Sequence, residues 1–322
     1  MPAENPLHLR MLLPGNPWTR ALEEGAVSEP GLTWDSRSDV ELAHHRFEVA
    51  ATGGFDVGET GILHVALDVL AGRPANGIPV FFGREHMQRN IFVRADSPMK
   101  ALRELAGKRV GSNLPADSGT GSGVLMMLEL GYGVDLRSIE WHCGRNEHPV
   151  NRMGLNLLRG PDNLEEVFQA VLRGELDAGF HTGGPRYWSM FGGAGDNVDE
   201  NVKKHDDIRL LLNHPAQIAD QYKRTGLYPI TDIVTLRPQL AQQHPDLPDR
   251  LVSLFSKANA LASRYRPPEE QQLAEREIRM LGEDPHQYGL TPSNRANLAA
   301  LLDLLYRLGS LERVLEPEEL FV

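Results

Sequence analysis

Cysteine is almost absent from this chain of 322 residues, since Cys143 is the only one. A single thiol excludes an intramolecular disulfide and a zinc site built from several thiolates. Cys143 is therefore expected to be a small residue of the core. No metal site is predicted, because His142, Cys143 and His148 match no zinc-ligand spacing.

The chain also lacks an excess of positive charge and any long apolar run. It has 33 Lys and Arg against 44 Asp and Glu, a formal net charge of -11. A surface for nucleic acid or for an anionic membrane needs a clustered basic face, so neither partner is expected. No apolar segment approaches membrane length, and the N-terminus lacks the basic and apolar regions of a signal peptide. The sequence therefore predicts a cytoplasmic protein.

What is present is the composition of an ordinary globular protein, with 41% hydrophobic and 24% charged residues. The length allows two domains or one large one. Apolar strand patterns alternate with helical patterns along most of the chain, which predicts an α/β fold with mostly parallel sheets. In such sheets ligands bind beyond the carboxyl ends of the strands.

One stretch, residues 107–130, has the pattern of strand, loop and helix. The loop is rich in Gly and Ser, and its end would place free backbone N–H groups at the positive end of a helix dipole. With the hydroxyls of Ser118 and Thr120 around Gly119, this is a candidate anion site. The spacing fits neither a P-loop nor a dinucleotide fingerprint, so no cofactor is called for. The alternative is a plain Gly/Ser turn with a helix cap.

Polar side chains recur at the ends of other predicted strands, and their recurrence predicts one shared ligand site. Arg84 directly follows an apolar strand, where its guanidinium could hold a carboxylate through two hydrogen bonds. Arg20 lies in the first turn of a helix, which is an unfavourable place for a cation unless an anion is near. The remaining candidates at such ends are Trp18, Thr19, Glu59, Thr60, His86, His181 and Thr182.

Several short motifs together resemble the 4,5-dihydroxyphthalate decarboxylase family. They occur over nearly the whole chain and in the expected order. The motifs are Phe-Asp-Val-Gly-Glu at 55–59, Pro-Val-Phe-Phe-Gly-Arg at 79–84, Ile-Phe-Val-Arg-Ala-Asp at 91–96, Gly-Lys-Arg-Val-Gly at 107–111, Tyr-Pro-Ile at 228–230, Tyr-Gly-Leu-Thr-Pro-Ser-Asn at 288–294 and Glu-Glu-Leu-Phe at 318–321.

The resemblance implies a fold similar to type 2 periplasmic binding proteins, with two α/β lobes, a two-strand hinge and a ligand cleft between the lobes. Residues 1–94 and 222–322 would form lobe I, and residues 95–221 would form lobe II. Closure of the lobes over a ligand would follow. The implied activity is that of a carbon–carbon lyase, a decarboxylase acting on a hydroxyaromatic carboxylate such as a dihydroxyphthalate. A homodimer is expected on base rates.

Carried over residue by residue, the resemblance places Arg20, Glu59 and Arg84 in the family's cleft. Two departures remove histidines. His86-Met-Gln stands where the family tends to have an aromatic-Arg-His group, and Thr231-Asp232 stands where it usually shows Met-His.

Aromatic decarboxylation needs a proton delivered to the ring carbon that bears the carboxylate. His181 and His86 are the available imidazoles, and Glu59 or Asp232 could serve if burial raised their pKa. Arg20, Arg84 and the 118–120 loop would bind the anionic groups of a small-molecule carboxylate. The alternative is a non-catalytic solute-binding protein of an ABC-type transporter, although no signal peptide or lipid-attachment cysteine near the start supports it.

Overall fold

The computed structural model describes residues 5–38, 54–82, 84–144, 154–182, 190 and 197–322. Residues 40–50, whose sequence pattern predicts a helix, and His148 lie outside these ranges.

Two β-sheets organise the described part of the chain. Its strands are β1 (Leu7–Leu12), β2 (Leu32–Arg37), β3 (Val57–Gly61), β4 (Gly77–Ile78), β5 (Ile91–Arg94), β6 (Arg109–Gly111), β7 (Glu140–Cys143), β8 (Asn156–Arg159), β9 (Ala178–Phe180), β10 (Ile208–Leu210) and β11 (Asp232–Leu236). The first sheet has the order β2-β1-β3-β11-β4, and the second has the order β10-β5-β9-β6-β7-β8.

Five of the nine strand pairs among the described residues are parallel, in line with the prediction of mostly parallel sheets, but both sheets also contain antiparallel pairs. In the first sheet β1 pairs in parallel with β2 and β3, while β11 pairs antiparallel with β3 and β4. In the second, β6 pairs in parallel with β7 and β9, while β5 pairs antiparallel with β9 and β10. Strands β5 and β11, which pair antiparallel with their neighbours, are the first strands after each crossing between the sheets. Strand β10, also antiparallel, is the last strand before the return crossing.

Helices connect and cover these strands. Within the described residues they are α1 (Arg20–Glu23), α2 (Ile62–Leu70), α3 (Gly119–Met126), α4 (Leu164–Leu172), α5 (Asn197–Val202), α6 (Pro215–Thr225), α7 (Pro238–Gln243), α8 (Leu247–Ala260), α9 (Pro268–Leu281) and α10 (Pro292–Arg307). A π-helical turn, Met127–Gly131, continues α3.

Helix α2 shows how the local sequence determines where a helix begins at the end of a strand. It begins directly after β3, with Gly61 as its N-cap and no side-chain cap. Its apolar residues include Ile62, Leu63 and Val65, which are buried in the core. The apolar run Ile62–Leu70, which follows a strand pattern and a glycine, predicts this helix from sequence, and the observed bounds agree; the first turn lies where β3 ends.

One hydrophobic core runs through both lobes. Ile62 of α2, Val124 of α3 and Leu301 of α10 belong to the same buried cluster, and α10 packs against α3. A second cluster lies within the first lobe between its sheet and α8. The lobes are therefore joined by a common hydrophobic core as well as by two crossings of the chain.

Sheet membership locates the crossings between the lobes. The chain leaves the first sheet after β4 and returns to it at β11. Strand β5 (Ile91–Arg94) pairs within the second sheet, whereas the predicted division assigned residues up to 94 to lobe I. The return crossing lies between Leu210 and Asp232, a stretch that contains the predicted boundary at 221/222.

Two further expectations concern burial and membranes. Cys143 is buried in the core as predicted, and burial raises the pKa of its thiol to about 12. No helix in the described ranges is both long enough and apolar enough to span a bilayer.

Candidate functional site

A cavity of about 350 Å³ lies between the two lobes. Five of the predicted site residues line it, namely Ser118, Gly119, Thr120, Thr182 and Asp232. The wall also contains His64 and Asp117, which the sequence analysis did not name, and Thr231, which it named only as part of a departure from the family pattern. Leucines 114, 301 and 305 supply apolar surface. A small cavity with apolar walls and a few converging polar groups has the character of a ligand site.

The predicted Gly/Ser loop forms one wall, and the start of α3 lies within it. Ser118 is the N-cap of α3, and its Oγ accepts a hydrogen bond from the Gly121 N–H at 3.1 Å. The same hydroxyl donates to the Pro115 carbonyl at 2.7 Å. The Ser118 hydrogen is therefore committed within the loop, and the loop is both a helix cap and a cavity wall.

Asp232, the first residue of β11, places its carboxylate against the start of α3. A Cβ built on Gly119 would lie 3.2 Å from Asp232 Oδ1 and 3.3 Å from Oδ2. The Thr231 hydroxyl donates to Asp232 Oδ2 at 3.0 Å. A negative charge is favoured beside a helix N-terminus, so a side chain of the protein occupies the position predicted for a substrate anion.

The start of α2 forms another part of the wall, beside β11, because Gly61 pairs with Asp232. The Ile62 N–H donates to the Thr231 carbonyl at 2.8 Å, and residues 61–64 line the cavity. The imidazole of His64 folds back toward the N-cap, since a Cβ on Gly61 would lie 3.2 Å from His64 Nδ1. The lack of a side chain at Gly61 leaves room for this ring. His64 was detectable in sequence as the polar residue in the first turn of an apolar helix that follows a strand.

Thr182 enters the cavity from the end of β9. Its hydroxyl donates to Glu85 Oε1 at 3.0 Å, and the Asn90 amide donates to Glu85 Oε2 at 2.8 Å. Glu85 is buried and lies outside the cavity wall. Because the Thr182 hydroxyl donates its hydrogen to Glu85, its Oγ1 can act toward the cavity only as a hydrogen-bond acceptor.

His181 adjoins Thr182 but does not line the cavity. Its Nδ1–H donates to the Thr182 carbonyl at 3.0 Å. Burial lowers the pKa of the His181 imidazole, so the neutral form is favoured with Nε2 as an acceptor. These features suit a hydrogen-bond acceptor or base better than the predicted general acid.

The structure does not bring Arg84 to the cavity. Its guanidinium is buried, donates to Asn294 Oδ1 at 2.9 Å and to the Tyr228 carbonyl at 2.6 Å, and also donates to the Pro285 carbonyl. The Arg84 Cζ lies 4.7 Å from the centre of the Tyr228 ring. Burial lowers the pKa of Arg84 to about 10. Its fork-shaped donors hold backbone carbonyls of the first lobe rather than a ligand carboxylate.

His86 belongs to the same interior network. Its Nε2 lies 2.8 Å from Glu277 Oε1, and both side chains are about 1% exposed. The His86 ring packs at 4.5 Å from the Tyr228 ring. The predicted proton-transfer histidine is therefore enclosed by the core instead of facing the cavity.

The segment after β1 is also separate from the cavity. Arg20 is about half exposed and pairs with Glu23 and Glu24 at 3.3 and 3.0 Å, which supplies the counter-charge that its helix position required. Thr19 is fully buried and donates to the Pro14 carbonyl. Trp18 packs against His286 with ring centres 5.5 Å apart.

Glu59 and Thr60 lie on β3, two residues and one residue before the cavity-lining Gly61. Both are buried and pair with Val234 and Ile233 of β11. They are part of the sheet that carries Asp232 rather than of the cavity wall. Within the described residues, no group of three His, Cys, Asp or Glu side chains could hold a metal ion.

Comparison with known proteins confirms the resemblance stated from sequence. The chain is 29% identical over 295 residues to a 4,5-dihydroxyphthalate decarboxylase of Comamonas testosteroni, covering 85% of this chain and 84% of that one. No protein-family model matches the chain.

Solved structures confirm the fold class. The periplasmic aliphatic sulphonate binding protein SsuA of Escherichia coli aligns with a TM-score of 0.56 at 15% identity, over 98% of this chain and 92% of that one. A putative periplasmic sulfonate-binding SsuA of Methylobacillus flagellatus KT aligns with a TM-score of 0.59 at 12% identity, over 99% and 92%. The chain has the two-lobe α/β fold of periplasmic-binding-protein-like proteins.

Proposed function

We propose that the protein is a decarboxylase that acts on a hydroxyaromatic carboxylate in the interlobe cavity. The observation that carries the proposal is the combination of a decarboxylase relative aligned over 85% of the chain with a cavity lined by an imidazole, that of His64, and a carboxylate, that of Asp232. A volume of about 350 Å³ suits a ligand with a single substituted ring.

In the proposed reaction the substrate carboxylate approaches the start of α2, where the helix dipole and the first backbone N–H groups favour a negative charge. The Asp232 carboxylate accepts a hydrogen bond from a ring hydroxyl, which raises the electron density of the ring. The His64 imidazolium donates a proton to the ring carbon that bears the carboxylate.

The carbon–carbon bond to the carboxylate then breaks, its electron pair returns to the ring, and CO2 leaves. One proton is consumed for each CO2 released, and His64 regains it from solvent. The apolar wall formed by Leu114, Leu301 and Leu305 excludes water from the departing group and strengthens the electrostatic interactions within the cavity.

A second candidate function is a solute-binding protein with no chemistry. It is favoured by the alignment with sulfonate-binding proteins at TM-scores of 0.56 and 0.59, although likeness of fold alone does not fix function. The same cavity would then hold a small carboxylate without converting it.

The two candidates are separated by incubating the purified protein with hydroxylated benzoates and phthalates and measuring the products by mass spectrometry. A decarboxylase yields a product lighter by one CO2, and His64→Gln loses that product. A binding protein returns every compound unchanged, and the compound that binds is recovered with the protein. The second outcome overturns the proposal.

A further inference from the structure

Two serine hydroxyls of the cavity wall give their hydrogen to backbone carbonyls. Ser118 Oγ donates to the Pro115 carbonyl at 2.7 Å, and Ser122 Oγ donates to the Ser118 carbonyl at 2.7 Å. Both serines line the cavity. Because a carbonyl oxygen can only accept, the direction of these two hydrogen bonds is fixed. Toward a ligand, both hydroxyls can act only as acceptors.

Thr182 differs from the two serines because its hydrogen goes to a side chain. Thr182 Oγ1 donates to Glu85 Oε1 at 3.0 Å, and the Asn90 amide donates to Glu85 Oε2 at 2.8 Å. Hydrogen bonds received on both oxygens favour the ionised form of a carboxyl group. Thr182 Oγ1 is therefore an acceptor toward the cavity as long as Glu85 is a carboxylate.

Glu85 lies behind the cavity wall. It is 4% exposed and does not line the cavity. It belongs to the segment between β4 and β5, where the chain crosses from the first sheet to the second. A buried carboxylate is costly unless it is hydrogen-bonded, so its partners hold it in place. Glu85 touches the cavity wall through the Thr182 hydroxyl, and its influence on a ligand passes through that group.

We infer that Glu85 is a positioning residue of the ligand site: by holding the Thr182 hydrogen, it makes Thr182 Oγ1 the acceptor for a ring hydroxyl of the bound aromatic carboxylate. Ser118 and Ser122 add acceptor oxygens to the cavity wall. A ligand group without a hydrogen to donate would leave the Thr182 oxygen unpaired, which costs affinity. The inference rests on the proposed function for the ligand class, but it concerns binding and does not require turnover.

The test measures equilibrium binding of two matched pairs of probes by calorimetry at one pH. One pair is 3,4-dihydroxybenzoate and 3,4-difluorobenzoate, and the other is 4,5-dihydroxyphthalate and 4,5-difluorophthalate. Within each pair the carboxylates are the same, and each fluorine replaces a hydroxyl by an atom of similar size that has no hydrogen to donate. The wild-type protein should bind the hydroxylated member of at least one pair at least about tenfold more tightly than the fluorinated member.

Variants at the two positions should change this affinity ratio in a defined way. Thr182→Val keeps the shape of the side chain and removes the hydroxyl, so the ratio should fall by at least about fivefold, whereas Thr182→Ser should keep it. The amide introduced by Glu85→Gln can donate to Thr182 Oγ1, which frees the hydroxyl hydrogen to turn toward the cavity. Glu85→Asp withdraws the carboxylate by one methylene and keeps its charge. Both changes at Glu85 should lower the ratio as Thr182→Val does.

A combined variant and two controls separate this role from a general loss of stability. In the Thr182→Val background, Glu85→Gln should change the ratio no further, because its effect passes through the Thr182 hydroxyl. Thr235→Val is the matched control for the hydroxyl, since Thr235 is buried on β11 outside the cavity and donates to the Gly58 carbonyl at 3.2 Å. Glu277→Gln neutralises another buried carboxylate outside the cavity. Both controls should keep the wild-type ratio.

Three results overturn the inference: no binding of either hydroxylated probe by wild type, a ratio that Thr182→Val leaves unchanged, or an effect of Glu85→Gln that is as large in the Thr182→Val background as in wild type. Release of CO2 from the hydroxylated probes is measured separately on the same samples. A hydroxyl preference that depends on Glu85 without loss of CO2 retains the inference and removes the decarboxylase proposal. Loss of CO2 without that preference does the reverse.

Discussion

The interior network around Arg84 and the cavity around Asp232 contain the same kinds of residues but differ in what those residues contact. Arg84, His86 and Glu277 are enclosed, and their hydrogen bonds join separated parts of the chain. Asp232, His64 and Thr182 line an open volume. The first group satisfies backbone carbonyls and buried charges, while the second presents polar atoms to a space that a ligand can fill.

A polar residue at the end of a strand can therefore either bind other parts of the protein or line a ligand cavity. Arg84 and Asp232 both follow or begin strands near the cleft, and both were candidates for the site. The distinguishing property is the partner. An arginine that holds the Tyr228 and Pro285 carbonyls stabilises the lobe, whereas a carboxylate in a cavity wall places its charge beside a space that a ligand can fill.

The largest effect is expected from Arg84→Ala. The change leaves buried carbonyls without donors and opens a cavity, so the free energy of unfolding should fall by about 3–5 kcal/mol. Arg84→Lys keeps the positive charge but loses the forked guanidinium, so its free energy of unfolding should fall by a smaller amount. Urea denaturation measures both. A loss below about 1 kcal/mol for Arg84→Ala would contradict a structural role for this network.

The next effect concerns activity. Replacing His64 by Gln removes the proposed proton donor, so kcat should fall by about 100-fold or more while the free energy of unfolding changes little. His181→Gln is the comparison variant, because His181 adjoins the cavity without lining it, and its loss should be smaller. Steady-state kinetics decides the order. A larger loss for His181→Gln would move the proton donor to that residue.

The interior network also predicts how stability depends on pH. Burial, and secondarily the charges of Arg84 and Arg266, lower the pKa of His286 well below its usual value. The folded state then keeps His286 neutral while the unfolded chain takes up a proton below about pH 6.5. Because the unfolded state binds more protons, the free energy of unfolding should fall by up to about 1.4 kcal/mol per pH unit below that point.

His286→Asn should flatten this slope, and the exposed His214 provides the matched control, His214→Asn. Denaturation at a series of pH values measures the slopes. An unchanged slope in His286→Asn would mean that His286 does not carry this dependence.

The smallest expected effect tests whether the position of the His64 imidazole matters for the reaction rate. Gly61→Ala places a Cβ 3.2 Å from His64 Nδ1, and Gly61 has φ -69°, so the ring must move without backbone strain. We expect kcat to fall by about tenfold with little change in stability, because small displacements of a reacting group are costly. Gly131→Ala makes a similar contact with Gln221 Nε2 at 3.1 Å away from the cavity. Equal kinetics in the two variants would argue against His64 as the proton donor.

Much of the fold was predictable because its signals are local. Helix α2 was predicted over the residues observed, since an apolar run follows a strand and a glycine. Helices α6 and α7 were not predicted, although each carries a proline in its first turn. Their apolar residues are few, so tertiary packing rather than periodicity defines them.

The site was predictable where its residues belong to a local pattern. Ser118, Gly119 and Thr120 were predicted because they form a Gly/Ser loop before a helix. Asp232 was predicted because it replaces a residue that the family motif usually shows. Arg84 was assigned to the cleft because its real partners lie 144 to 210 residues away in sequence, and no spacing rule reveals them. His64 was overlooked because it sits within an apolar helix, although its place in the first turn after a strand was a usable signal.

The most direct measurement of the central claim is release of labelled CO2 from a panel of carboxyl-labelled hydroxybenzoates and hydroxyphthalates by wild type, Asp232→Asn and Arg84→Lys, with the folded fraction of each determined in the same samples. We predict that wild type releases CO2, that Asp232→Asn is folded but at least about tenfold slower, and that Arg84→Lys is less stable yet retains the wild-type rate per folded molecule. No release by wild type, or a rate lost in folded Arg84→Lys and kept in Asp232→Asn, would contradict the assignment of function to the cavity.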